Sequence, residues 1–140
     1  MGVMLILRSA LIAAAVCVTS SLAYAVEVLP VVSPGGIKAW LVRDASVPLI
    51  SMSFEFKGGT ALDPDGREGL ANMVSALLDE GAADMDSQSF QGKLEDLSVS
   101  MGFSASRSSF SGRLQTLSRH QDEAFRLLAA ALVSPRFDDK

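Results

Sequence analysis

Two residue types that build reactive sites are almost missing from the sequence, which has one cysteine and one histidine. Cys17 lies in an apolar N-terminal run, so the rest of the chain forms no disulfide and offers no thiol nucleophile. A zinc site takes several nitrogen or sulfur ligands, and His120 is a single imidazole. The sequence therefore argues against disulfide scaffolds, thiol enzymes and histidine-rich metal centres, and predicts a surface or capping role for His120.

Positive charge is also scarce, with 12 lysine and arginine residues against 16 aspartate and glutamate residues and a formal net charge of −4. A mildly acidic surface argues against nucleic acid or anionic membranes as partners. The chain is 49% hydrophobic and 20% charged, which is typical of a globular domain.

The apolar run at residues 9–22 is shorter than the roughly 20 residues that a membrane-spanning helix needs. Arg8 precedes it, and Ala23-Tyr24-Ala25 follows it as an A-x-A cleavage site. This pattern predicts a secretory signal peptide over residues 1–25, cleaved after Ala25, rather than an uncleaved anchor. We therefore expect a secreted, periplasmic protein with no stable membrane insertion after cleavage.

Apolar and polar residues alternate over residues 50–57, and one face holds Ile50, Met52, Phe54 and Phe56. This pattern predicts a strand with one buried and one solvated face. Residues 37–43 are a second strand candidate, and the short turn between the two runs predicts an antiparallel hairpin. Residues 103–108 and 110–117 predict another hairpin. The leading segment, residues 26–36, is compatible with a short edge strand.

Three helices are predicted. The first lies within residues 66–81, ends at a C-cap at Gly81, and buries a stripe formed by Leu70, Met73, Val74, Leu77 and Leu78. The second begins at an N-cap at Ser87, ends near Gly102, and buries Phe90, Leu94 and Leu97. The third spans residues 122–133 before Pro135, and its predicted inward residues are Ala124, Phe125, Leu128, Ala131 and Leu132.

The predicted order is β-β-α-α-β-β-α, which indicates an α+β fold with helices on one face of an antiparallel sheet. The large aromatic residues are predicted to be core, although they could instead line a groove: Trp40, Phe54, Phe56, Phe103 and Phe110. Asp79 and Glu80, followed by Asp84 and Asp86, are open to two interpretations. In the first interpretation, paired carboxylates among these residues carry out acid–base chemistry. In the second, which we favour, the residues form a solvated acidic loop.

The first predicted helix opens with Gly69-Leu70-Ala71-Asn72. It resembles the first helix of the pitrilysin/insulinase-type (M16-like) zinc peptidases, which open this helix Gly-Leu-Ala-His and carry the motif His-x-x-Glu-His. The three metal-site positions of the motif correspond to Asn72, Ser75 and Ala76. Asparagine offers a weak carbonyl ligand, alanine offers none, and serine is no general base unaided. The resemblance therefore implies a degenerate site without catalytic residues, metal or cofactor.

The resemblance extends roughly over residues 36–138. It includes residues 54–59, the helix entry at 63–64 and 68–71, residues 97–105, and residues 127–137. It implies that residues 26–140 are the N-terminal part of a truncated metallopeptidase-type domain, which in this family pairs around a peptide-binding chamber. The family also implies a third zinc ligand further downstream than Lys140. Because zinc-less members pair with active ones, it implies a heterodimer in which only the active partner holds zinc.

Three functions follow as hypotheses. The chain is a non-catalytic M16-like homologue that helps an active zinc peptidase bind peptides, or a hydrolase with an unusual site. In the third hypothesis it is a fragment of a longer M16-like metalloendopeptidase with no function of its own.

Overall fold

The computed structural model describes residues 26–138, so the predicted signal peptide lies outside the described residues. The chain divides into two compact units, Met1–Asp44 and Ala45–Lys140, and each is described by itself. No helix in the described part of the chain has the length and apolar character needed to cross a membrane.

The described part of the first unit is an antiparallel hairpin of two strands, β1 (Val28–Val32) and β2 (Lys38–Val42). The turn between them closes with a hydrogen bond of 2.8 Å from the Ser33 N–H to the Ile37 carbonyl. Gly36 adopts a φ of +83° in this turn, which glycine tolerates well. Trp40, predicted to be core, is instead 84% exposed.

The second unit contains a three-stranded antiparallel sheet of β3 (Leu49–Lys57), β4 (Ser100–Ala105) and β5 (Ser109–Leu117). The strand order is β3-β5-β4, with β5 in the centre. The predicted hairpin of β4 and β5 is confirmed. The predicted hairpin of residues 37–43 with 50–57 is wrong, because β2 pairs with β1 and all nine residues of β3 pair with β5.

The reason for this error is that the hairpin prediction rested on proximity along the chain. β5 offers β3 a nine-residue partner with a matching alternation, from Leu49 opposite Leu117 to Lys57 opposite Ser109. A long in-register ladder therefore forms between strands about 60 residues apart in sequence. A prediction that pairs only strands adjacent in the sequence does not detect it.

Three helices complete the second unit: α1 (Leu70–Leu77), α2 (Ser87–Asp96) and α3 (Gln121–Val133). Short 3-10 turns at Thr60–Leu62 and Ser118–His120 precede α1 and α3. The order over the described residues is β-β-β-α-α-β-β-α, one strand more than predicted, because the leading segment does form β1. The α+β class is confirmed.

The core lies between the apolar face of the sheet and the helices α2 and α3. Its buried residues are Ala82, Phe90, Leu94, Leu97, Val99, Leu114, Ala124, Leu127, Leu128 and Ala131, with Met52, Phe54, Met101 and Phe103 packed against them. The buried face predicted for α2 is confirmed. Among the predicted core aromatics, Phe110 is buried, whereas Phe56 is 53% exposed at the end of β3.

The buried face of α3 differs from the prediction. Phe125 and Leu132 are 39% and 40% exposed, and Leu127 takes the interior position instead. The buried set Ala124, Leu127, Leu128 and Ala131 follows the i, i+3, i+4, i+7 spacing of one helix face. Apolar residues occur on several sides of α3, so more than one such stripe is compatible with the sequence. Packing against the rest of the domain selects this one.

Three predicted helix ends are wrong. The N-cap of α2 is Asp86, whose carboxylate accepts the Ser89 N–H at 2.8 Å, and not Ser87. Gly102 lies inside β4, whereas α2 ends at Asp96 and has Leu97 as its C-cap residue. Gly81 has a φ of +137° but stands beyond the C-cap residue Leu78, so it shapes the following turn and does not end α1.

Candidate site on helix α1

The N-terminus of α1 is held by a carboxylate from outside the helix. Asp63 accepts the Gly69 N–H at 2.7 Å and the Ala71 N–H at 2.9 Å. The first turn of a helix leaves N–H groups without intrahelical partners, and a negative charge there also opposes the positive end of the helix dipole. Capping rules applied to the sequence do not identify this role, because Asp63 precedes the helix by more than the usual capping distance.

The buried side of α1 overlaps the predicted stripe only in part. Ser75 and Leu78 are buried, and Val74 and Leu77 are half-buried. Leu70 and Met73, which the periodicity placed inside, are 38% and 62% exposed. Because α1 lies against β4, the side that faces inward carries Ser75, a small residue that allows close approach. The helix is therefore rotated relative to the orientation that hydrophobic spacing alone predicts.

The three metal-site positions separate into two environments. Asn72 and Ala76 are exposed, and their i, i+4 spacing places them on one side of the helix. Ser75 is only 6% exposed, and its hydroxyl donates to the Asn72 carbonyl at 2.8 Å. The hydroxyl is thus engaged by its own helix. No side chain at the other two positions can take a proton from it, so the trio contains neither a general base nor an activated nucleophile.

The side chains at these three positions are also poor ligands for a zinc ion. Asn72 contributes one neutral amide oxygen and Ala76 contributes no donor atom, whereas zinc in proteins takes Cys, His, Asp or Glu ligands. Within residues 26–138, no group of three or more such ligand side chains lies close enough together to hold a metal ion.

His120 occupies the residue before α3, as predicted, but its side chain does not cap the helix. Its Nε2 accepts a hydrogen bond of 2.9 Å from Nε of Arg119. The ring is half-buried and lies in the 3-10 turn Ser118–His120. Its position fits the surface role predicted from the sequence.

The acidic residues after α1 do more than form a solvated loop. Glu80 accepts the Ser87 hydroxyl at 2.7 Å, and the Asp79 carbonyl accepts Nε2 of Gln91 at 2.8 Å. These bonds tie the end of α1 to α2. Burial raises the pKa of the Asp79 carboxyl, and the neighbouring Glu80 charge adds to this effect. Hydrogen bonds from Ser89 lower the pKa of Asp86.

Known proteins are similar to this chain in sequence over part of its length and in fold. No family model matches the chain. The chain is 29% identical over 91 residues to the non-peptidase homolog YmxG of Helicobacter pylori, an alignment that covers 65% of this chain and 21% of that protein.

Solved structures share the fold. A peptidase M16 inactive domain from Pseudomonas fluorescens superposes with a TM-score of 0.72 and 24% identity, covering 80% of this chain and 27% of that one. A protease from Helicobacter pylori superposes with a TM-score of 0.66 and 16% identity, covering 82% and 28%. The chain thus spans between a fifth and a third of the length of the proteins it matches.

The resemblance seen in the sequence is therefore confirmed. The chain has the fold of a peptidase M16 inactive domain, and part of its sequence is similar to a non-peptidase homolog.

Proposed function

We propose that this M16-like chain acts as the zinc-less partner of an active zinc peptidase and helps that partner bind peptides. The observation that carries the proposal is the contrast within α1. The helix, its Asp63 cap and its contact with β4 are all present, but the positions that would hold zinc carry Asn72, Ser75 and Ala76. A domain with this helix but without zinc ligands suits peptide binding rather than hydrolysis. Zinc would then be bound by the partner alone.

The descriptions of the similar proteins support this proposal. One is a non-peptidase homolog and another an inactive M16 domain. On the basis of the predicted signal peptide, we propose that the pair acts in the periplasm. N-terminal sequencing of the mature protein tests that part, and we expect it to begin at Val26.

The outer edge of β4 is the place where we expect a peptide to bind. β4 has β5 on one side and no strand on the other among the described residues. The Ser106 N–H donates to the Ser109 carbonyl at 2.8 Å, so Ser106 and Ser109 form a hydrogen-bonded pair. In an antiparallel ladder, hydrogen-bonded pairs alternate with pairs whose backbone groups face away from the partner strand. The backbone groups of Met101, Phe103 and Ala105 therefore point away from β5. An extended peptide can pair with them by strand addition, next to α1.

A proline at position 105 tests this arrangement, because proline removes the outward N–H while the pairing of β4 with β5 uses other residues. Ala105→Pro should weaken binding of an extended, uncharged peptide roughly two- to ten-fold, the value of about one hydrogen bond. Ala105→Val keeps the N–H and is the matched control. Fluorescence anisotropy with a labelled peptide measures both, and equal affinities for the two variants would show that this edge is not the binding site.

A further inference from the structure

A small cleft lies beside the last turns of α1. Its volume is about 300 Å³, and it is formed by α1, the N-terminus of α2 and the segment after α3. Its apolar lining is provided by Met73 and Leu77 of α1 and by Phe137. Met73 and Phe137 are 62% and 52% exposed, so this apolar surface is open to solvent. We refer to it as the α1–α2 cleft.

The polar lining of the α1–α2 cleft is mostly acidic. It contains the carboxylates of Glu80, Asp86 and Asp138 and one cation, Arg136. Arg136 pairs with Asp138 at 2.9 Å, from Nε to Oδ2. Glu80 and Asp86 instead accept hydrogen bonds from neutral donors, the Ser87 hydroxyl and the Ser89 N–H. The charge of Arg136 also acts on Asp86 and helps to lower its pKa. Three carboxylates against one guanidinium still leave the cleft with a net negative charge above an apolar surface.

We propose that the α1–α2 cleft binds a lysine or arginine side chain of a peptide, with its aliphatic stem on Met73 and Phe137 and its charge beside Glu80 and Asp86. This inference rests on the proposed function, since it specifies which peptides the chain prefers. Long basic side chains place their methylene groups on apolar surface while the charged end stays in water. The volume is at the lower end of the range for ligand pockets, which fits one side chain and not a folded partner.

The position of the cleft on α1 fits a peptide that runs past the degenerate site. Met73 and Leu77 each follow one of the exposed positions, Asn72 and Ala76. Successive residues of an α-helix are about 100° apart around the axis, so the cleft lies on the flank next to those positions. The low pKa of Asp86 keeps its charge in mildly acidic solution, so the preference for cations should persist there.

Anisotropy titrations with three labelled peptides test the inference. Each peptide has about ten residues, mostly alanine and serine, with a leucine at the centre. The peptides differ only in the residue after that leucine, which is lysine, glutamine or glutamate. We expect the lysine peptide to bind the full chain roughly five-fold tighter than the glutamine peptide, as for an exposed charge pair, and the glutamate peptide to bind weakest.

Two sets of variants locate the effect. Glu80→Gln with Asp86→Asn removes both charges but keeps oxygen acceptors for Ser87 and Ser89, so the lysine preference should disappear. Glu95→Gln changes an exposed α2 carboxylate outside the cleft and should leave the preference intact. Arg136→Gln removes the repelling cation and should tighten lysine-peptide binding, a gain that misfolding cannot produce.

Equal binding of the lysine and glutamine peptides overturns the inference, as does a loss in Glu95→Gln as large as that in the double variant. If the glutamine peptide binds and Ala105→Pro weakens it, the proposed function stands and only the cationic preference is lost. If no peptide binds at all, the proposed function fails together with this inference.

Discussion

Ser75 occupies the position at which the resembled peptidases carry a general base, and in this chain it points inward against the sheet. Its hydroxyl bonds to the Asn72 carbonyl one turn earlier. A serine in that bond satisfies its own polar group locally. Ser75 is therefore a buried packing residue of α1.

Asp79 and Asp86 differ in how their charge affects stability. The pKa of Asp79 is raised, chiefly by burial, so the folded state holds its proton more tightly than the unfolded chain. Stability from this group is present at low pH and is lost as pH rises through its folded pKa. Asp86 shows the reverse, because its pKa is lower in the folded state than in the unfolded chain. Its charge stabilises the fold at pH values above the unfolded-state pKa, and this stability is lost as pH falls through the folded-state pKa.

We predict that Asp79→Asn raises the melting temperature at pH 7 by about 1–3 °C, because the neutral amide avoids the cost of a half-buried charge. The gain should vanish near pH 3, where the wild-type carboxyl is protonated. Asp86→Asn, the matched comparison, should lower the melting temperature at pH 7. Thermal unfolding followed by circular dichroism at both pH values decides this, and a gain for Asp79→Asn that is the same at pH 3 and pH 7 would contradict it.

At the scale of elements, α1 and α3 each bury only part of the predicted face, and the rest of the buried face is shifted around the helix. In α1 the contact with β4 buries Ser75 and leaves Met73 in the α1–α2 cleft. In α3 the contact with β5 selects Leu127 over Phe125. Apolar residues surround a large part of each helix, so periodicity alone indicates a helix more reliably than it indicates the buried face.

The exposed pair on α1 allows a direct test of whether the metal-binding geometry persists. We predict that Asn72→His with Ala76→His binds Zn²⁺, because i, i+4 side chains are neighbours on the helix surface. At a zinc concentration of about 100 times Kd, binding should stabilise the fold by roughly 2.7 kcal/mol.

Each single histidine variant serves as a control and should gain far less from zinc. Melting curves with and without zinc provide the measurement. No difference between the double and the single variants would mean that positions 72 and 76 no longer present a ligand pair.

At the scale of the whole molecule, the proposed function depends on a second protein. The chain spans only part of the length of the proteins it matches, so partner and substrate are matters for experiment. Two exposed apolar residues outside the α1–α2 cleft, Leu62 and Leu70, offer surface for a partner to cover.

We predict that an active M16-like zinc peptidase from the same source forms a complex with this chain, and that only the peptidase contains zinc. Size-exclusion chromatography and pull-down test the complex, and metal analysis of each purified protein tests where the zinc resides. Stoichiometric zinc or peptide hydrolysis in the purified chain alone would refute the proposed role. The absence of any complex would count against the partnership.

The amino-acid sequence by itself determined the α+β class, the three helices and the β4–β5 hairpin, because these depend on local periodicity. It also determined that positions 72, 75 and 76 carry Asn72, Ser75 and Ala76, which include no histidine or glutamate. The tertiary structure decided the partner of β3, the faces that α1 and α3 bury and the cap at Asp63. It also brought Met73, Glu80 and Arg136 into one cleft. These features join residues distant in the chain, and only packing in three dimensions selects among the arrangements that local patterns allow.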